Sequence, residues 1–239
     1  MNSFIKKIKI YGLTRAVCFI LIEIKKKIFD ELIKKTYSQH GEDLIIDKLL
    51  NYKENGFYID IGAYDPNRFS NTKRFYLKGW QGINIEPNTK NYRKFISQRS
   101  RDINLNVGIG NVNDELKYYY FFPETLSTFS VDESNQYIKE GYKLIEIRQV
   151  QVNKLKDVLT QHKISRKIDF MNIDTEGFEL NVLKSNDWNK FRPSIICIES
   201  AKHTNAVKSN HEITIHKFLI KQKYKVAYRN ELNSIYIAN

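Results

Sequence analysis

The stretch "YIDIGAYDPNRFSNT", residues 58–72, opens on an apolar run, reaches an acid at Asp60, and passes through Gly62 and Ala63 into a polar turn. With the preceding Gly-Phe it predicts a buried strand over residues 56–62. Four further near-continuous apolar runs follow, over residues 81–87, 102–110, 168–174 and 193–200. Runs of this kind are expected where helices cover both faces of a parallel sheet. Helical stretches lie between them, over residues 71–78, 88–98, 154–162 and 178–185, and another precedes the first strand over residues 42–50. The alternation predicts one doubly wound α/β domain.

Two regions depart from the alternation. Residues 116–152 contain "LKYYYFF" and "KLIEIRQVQV", which read as strands, with the polar stretch "LSTFSVDESNQY" between them. This is an insertion between the third and fourth core strands, able to form a substrate wall. The aromatic run 118–122 is read as core, as most aromatic strands are. Near the C-terminus, "KYKVAYRNELNSIYIAN" predicts two strands joined by a tight turn at residues 230–233. A terminal hairpin makes the sheet mixed.

The chain has 239 residues, enough for one sizeable domain, and a formal net charge of +12. That charge favours anionic partners. The lysines are spread along the whole chain, however, so compositional bias explains them as well. Only two cysteines occur, Cys18 and Cys197, without metal-ligand spacing. Their scarcity fits a reducing compartment, and a cytoplasmic location is expected. In residues 1–36, Ile20, Ile24, Ile28 and Leu32 form an apolar stripe on a basic helix. It is expected to pack on the domain or on a second copy. A peripheral contact with an anionic membrane surface is the alternative. The apolar stretch 16–22 is too short to span a bilayer and lacks a cleavage site.

Ligands of such sheets bind beyond the C-terminal ends of the strands, where strand order reverses. Asp60 ends the first strand, and Gly62 and Ala63 leave room for close approach. Glu86 ends the second strand before Pro87, where an acid can accept both hydroxyls of a ribose. The glycine-rich dinucleotide motif and the phosphate loop are both absent. Acids in the turn repel pyrophosphate and suit a ligand with an amino group and a ribose, as in S-adenosyl-L-methionine.

The set "YSQHGEDLIIDKLL", "GFYIDIGAYDP…FSNT", "KGWQGINIEPN", "STFS" and "IDFMNIDTEGFELNVLKSNDW…RPSIICIE" resembles the FkbM family of S-adenosylmethionine-dependent methyltransferases over residues 37–200. The resemblance implies a class I methyltransferase fold, a Rossmann-like doubly wound sheet of seven strands with the last antiparallel. The methyltransferase domain would then span residues 37–239 behind an N-terminal helical extension. It further implies O-methylation of a sugar, nucleotide sugar or surface-glycan precursor. Tyr64 stands where the family commonly carries a small residue or Asn. By the same resemblance Gln39 and Asp43 flank the cofactor pocket, with Asp60, Gly62, Ala63, Tyr64, Asn71, Glu86, Pro87 and Asp174 as its other contacts. The alternative for residues 38–42 is an N-cap formed by Ser38 and Glu42.

In "IDTEGFE", Asp174 at the tip of the fourth strand faces the methyl group in this fold, which makes it the candidate base. Glu176 orients substrate or loop, or both acids cap the next helix. Glu199 ends the neighbouring strand, and Asp174 with Glu199 could hold Mg²⁺ or Mn²⁺. His203 is a further candidate base. The rival readings are an N-methyltransferase on a small amine and a non-catalytic module binding nucleic acid or anions. The second lacks any nucleic-acid signature beyond charge, and no specific nucleic acid is expected as partner.

Overall fold

In the computed structural model, which describes residues 36–199 and 210–239, β1 (Phe57–Ile61) is buried along its whole length. It is the third strand of a seven-stranded sheet, beside the central one. In chain order the described elements are α1 (Glu42–Leu49), β1, α2 (Lys73–Leu77), β2 (Gln81–Ile85), α3 (Thr89–Gln98), β3 (Ile103–Leu105), β4 (Gly108–Ile109), β5 (Asp114–Phe122), α4 (Val131–Lys139), β6 (Lys143–Asn153), α5 (Leu155–Gln161), β7 (Phe170–Ile173), α6 (Glu179–Ser185), β8 (Ile195–Glu199), α7 (Asn210–Lys221), β9 (Tyr224–Arg229) and β10 (Asn233–Ala238). The large sheet runs β3-β2-β1-β7-β8-β10-β9. The first five strands are parallel, and β10 is antiparallel to both β8 and β9. This is the class I methyltransferase architecture. The order reverses between β1 and β7, so the switch point lies between their tips.

Register places matched residues in rows across the sheet. Gly82, Tyr58, Phe170 and Ile195 form one row, and Asn84, Asp60, Asn172 and Cys197 the next. With a side-chain period of two, both rows face the same side. The first is apolar and packs with Ile46, Phe75 and Trp80. The second is polar and leads to the tips. The opposite face joins Ile59, Ile61, Ile83, Met171, Ile173, Ile196 and Ile198 to α5, α6 and α7. Helices on both faces explain why the strands read as continuous apolar runs.

The apolar run 102–110 does not form one strand. β3 pairs with β2, whereas β4 leaves the sheet and pairs with β6 in a second sheet of order β4-β6-β5. Gly108 permits the departure, because Phe129 lies where a Cβ would stand. The insertion is this second sheet plus α4, a helix that the polar stretch 126–137 hid. Ser130 caps α4 by accepting from the Glu133 N–H at 3.2 Å. Tyr118, Tyr120 and Phe121 are buried, as an aromatic strand in core predicts.

Arg99, fully buried, braces the segment between β1 and α2. It donates to the Tyr58 hydroxyl at 2.9 Å, to Pro66 O at 2.7 Å and to Ser70 Oγ at 3.1 Å. Among the described residues no helix is long and apolar enough to cross a membrane. The N-terminal amphipathic stripe, Cys18 and His203 lie outside the described residues. Cys197 is a free, buried thiol.

Candidate functional site

One residue past the last registered pair, the tips of β2, β1, β7 and β8 present Glu86, Gly62, Asp174 and Glu199 in that order. An open cavity lies over them. Of the residues expected from sequence, the cavity brings together Gln39, Asp60, Gly62, Ala63, Tyr64, Asn71, Glu86, Pro87, Asp174 and Glu199, with Glu176.

Asp43 does not line it. Its carboxylate is buried at the first turn of α1, where it accepts from Thr36 Oγ1, Tyr37 N (3.0 Å), Ser38 Oγ (2.9 Å) and Arg74 Nε (3.3 Å). Asp43 therefore fastens the turn that carries Gln39. Glu42 accepts from His40 N and from the Asn230 and Asn233 amides, tying this turn to the C-terminal hairpin. Burial pushes its carboxyl up, but these bonds outweigh it and leave the pKa below the usual range.

Glu86 accepts from Tyr64 N at 2.7 Å on one oxygen and from Asn88 N at 2.8 Å on the other. Each oxygen keeps a second lone pair for the cavity. Burial raises its pKa to about 7 against those two bonds. Asp60 accepts from Thr72 Oγ1 (2.7 Å) and Asn172 Nδ2 (2.9 Å), and burial raises its carboxyl too. Asn172 Oδ1 in turn accepts from Asn71 Nδ2 at 2.8 Å. Gly62, at φ +77°, sits where any Cβ would strike the Asp174 carbonyl.

Asp174, Glu176 and Glu199 each present an oxygen within 4.8 Å of the other two. Burial, with the charges of Glu179 and Asp60, raises the Asp174 pKa to about 7. Burial and neighbouring carboxylates push Glu176 and Glu199 well above the usual range. Neither Asp174 nor Glu176 caps a helix, since α6 starts only at Glu179. Glu176 holds a left-handed backbone (φ 52°), a conformation that costs energy outside glycine. Thr128 donates to its carbonyl at 2.7 Å and the Tyr137 hydroxyl to its carboxylate at 2.6 Å. The "STFS" segment and α4 thus brace this turn, and Tyr118, Leu126 and Phe129 from the insertion wall the cavity.

Two contributors are not singled out by the sequence reading. Glu179 accepts from Thr175 N, Thr175 Oγ1 and Gly177 N, and pairs with His211 at 2.8 Å. Burial works against its charge, yet His211 and these donors hold its pKa low. An acid two residues after a strand-tip glycine was the available signal. Asn91, on α3, lines the cavity at 1% exposure, and its Oδ1 has no hydrogen-bond partner among the described residues.

A family model described as "Methyltransferase FkbM domain" matches residues 60–226, more than two-thirds of the chain. Among solved structures, the chain is similar to a "putative caffeoyl-CoA O-methyltransferase" from Staphylococcus aureus. The identity is 10%, with 95% of this chain and 100% of that chain covered, at a TM-score of 0.44. No curated protein matches the sequence.

Proposed function

The chain belongs to the FkbM methyltransferase family, and on that premise we propose that it moves a methyl group from S-adenosyl-L-methionine to a hydroxyl of a sugar, nucleotide sugar or surface-glycan precursor. The observation that carries the reading is the row of tips at the switch point, acid, glycine, acid, acid, under one cavity. The cofactor fits the donor set. Glu86 offers two lone pairs to a ribose, Asp60 and the Asn71 amide offer acceptors to an ammonium, and no cation among the described lining residues would receive a pyrophosphate. When bound, the cofactor supplies an electrophilic methyl group on a positively charged sulfur.

Asp174 takes the hydroxyl proton as the acceptor oxygen closes on the methyl carbon and the carbon–sulfur bond breaks. The products are a methyl ether and a neutral thioether. Asp174, Glu176 and Glu199 are also hard oxygen donors of the kind that hold Mg²⁺ or Mn²⁺, which would polarise the hydroxyl. Full activity in chelator supports the metal-free base. Activity restored by Mg²⁺ only with all three acids intact supports the metal.

The ribose assignment has its own test. Calorimetry with S-adenosylhomocysteine on Glu86→Ala should show a roughly tenfold or greater loss, about 1.4 kcal/mol. Unchanged affinity, or comparable binding of NAD, removes the assignment. The pH dependence has a definite sign. The ionised carboxylate accepts from the ribose, so cofactor affinity rises as pH rises through about 7. In the ligand-free protein the folded pKa lies above the unfolded value. Folding stability therefore falls between pH 4.5 and about 7, by roughly 3 kcal/mol at most. Melting scans of Glu86→Gln should be flatter across that window.

The reading places no specific nucleic acid among the partners. Dispersed lysines should give weak binding that fades as salt rises, without sequence preference. A tight, sequence-selective complex at physiological salt in a mobility-shift assay contradicts this. The rival of N-methylation is separated by product analysis. A cytoplasmic site of action, peripheral membrane contact and self-association through residues 1–36 belong to the same proposal.

A further inference from the structure

A strand at the edge of a sheet invites pairing with another chain unless it is short, charged or covered. Both edges of the large sheet are guarded in this way. β3 is only three residues long, and β9 carries an exposed Lys225 near its start and ends on Arg229. The β4 side of β6 is not guarded. β4 pairs with β6 only at Val152 and Asn153, and β5 occupies the other side of β6. Over residues 143–151, "KLIEIRQVQ", no backbone group bonds outside the β5 ladder among the described residues. The stretch holds no Pro or Gly, and its one lysine stands at its end. Ile145 and Ile147 within it are 43% and 49% exposed.

An open edge of this kind accepts a further strand by main-chain hydrogen bonds. A second copy of β6 is the occupant whose chemistry fits. Two copies that pair antiparallel about a two-fold axis set one residue opposite itself, and that residue fixes the register. Two independent features select the same one. The first is length. β4 occupies the edge from Val152 onward, so the incoming strand must stop at Gln151. The longest pairing that clears β4 sets residue 143 of one copy opposite residue 151 of the other, with Ile147 on the axis. The second is charge. A pairing centred on Glu146 or on Arg148 sets like charges opposite, which is unfavourable. Centred on Ile147, Glu146 of each copy lies opposite Arg148 of the other. Within one copy these two side chains already pair at 2.8 Å, and both are exposed to at least 40%, so the four charges alternate in one cluster. On the other face Ile147 meets its counterpart, and Ile145 lies opposite Gln149. β6 has one extra residue against β5, Ile145, between the pairs made by Leu144 and Glu146. That irregularity lies outside the central pairs made by Glu146, Ile147 and Arg148.

We infer that the chain self-associates through the open edge of β6, as a two-fold antiparallel β6–β6 pair centred on Ile147 that joins the two inserted sheets into one. The pairing consumes both open edges and closes at two copies. Neither the reaction assigned above nor residues 1–36 enter into it. A single strand pair is small beside a permanent interface, so the association is reversible and depends on concentration.

The test is sedimentation equilibrium of the full-length protein over a dilution series, with melting scans to confirm that each variant is folded. A monomer–dimer equilibrium is expected. Ile147→Lys should raise the Kd of the dimer roughly tenfold or more, because each copy brings a charge to the point where its counterpart stands. Leu77→Lys, at a 57% exposed site on α2, should leave it within about twofold. Glu146→Arg and Arg148→Glu each set like charges opposite and should weaken the dimer as single variants. Mixed in equal amounts, they set Arg opposite Glu at every charged position, so the mixture should associate where neither variant does alone. The double swap should associate as the unmodified chain does. If Ile147→Lys does not fold, the charge variants read the same register without it. A chain that is monomeric at every concentration overturns the inference. So does a dimer that both Ile147→Lys and the charge variants leave intact, which places self-association elsewhere, residues 1–36 included. A mixture no more associated than its components removes the register and the proposal with it, and open-ended assemblies remove the closed pair.

Discussion

Asp174→Asn is expected to lower turnover by ~10²-fold or more, the usual scale of a lost general base, with affinity for S-adenosylhomocysteine nearly unchanged. Asparagine keeps the size of the side chain and some of its hydrogen bonding, but neither the charge nor the basicity. The backbone of Asp174 is fixed by its own N–H, which donates to Ile61 O at 3.0 Å, so the variant should fold and present the same surface to the cofactor. A sugar hydroxyl is a poor nucleophile until its proton is removed or a metal polarises it. The carboxylate at the β7 tip, beside Glu199 at the β8 tip, is placed for either. Affinity and turnover must therefore separate. A variant that binds normally and turns over normally places the base elsewhere, and a variant that loses binding makes Asp174 a cofactor contact. His203 is the remaining candidate from sequence, and its replacement by glutamine is the control.

The five parallel core strands, the antiparallel ending and the acids at their tips were legible because continuous apolar runs and strand-end acids are local signals. What was not legible is set by contacts between distant residues. The run 102–110 looks like one strand, yet its second half is claimed by β6 across a Gly108 that admits the Phe129 ring. Helix α4 hides in a polar stretch whose Ser130-x-x-Glu133 cap is the one local sign of it. Asp43 carries the same type of side chain as Asp60 in a motif next to the cavity. Only the donors that converge on it, from Thr36, Ser38 and Arg74, show that it fastens a turn and does not face the ligand space. Glu179 and Arg99 were missed for the same reason: their partners, His211 and Tyr58, lie 32 and 41 residues away.

Gly62→Ala is expected to destabilise the protein by about 3 kcal/mol or more and to weaken S-adenosylhomocysteine binding at least tenfold. Two causes add. Gly62 has φ +77°, which costs an alanine roughly 1–2 kcal/mol. A Cβ there would also stand 1.7 Å from the carbonyl oxygen of Asp174 and 2.8 Å from its carbonyl carbon. Both are backbone atoms, so no side chain can swing aside. Relief requires the β7 tip to move from the β1 tip, or Gly62 to give up its N–H bond to Ile85 O at 3.0 Å, which would shift the neighbouring Glu86. Either movement disturbs an acid assigned to the ligands. Gly141 separates the two causes: it has φ +85°, and nothing lies within 4 Å of its would-be Cβ. Gly141→Ala should therefore show the backbone cost alone, a fall in Tm of a few degrees with unaltered cofactor affinity. Gly62→Ala should fall by roughly 10 °C, on a scale of about 2–4 °C per kcal/mol for a chain of this size. If the two variants prove equally mild, the tips of β1 and β7 are not in contact, and the placement of Asp174 against the cofactor by β1 is wrong.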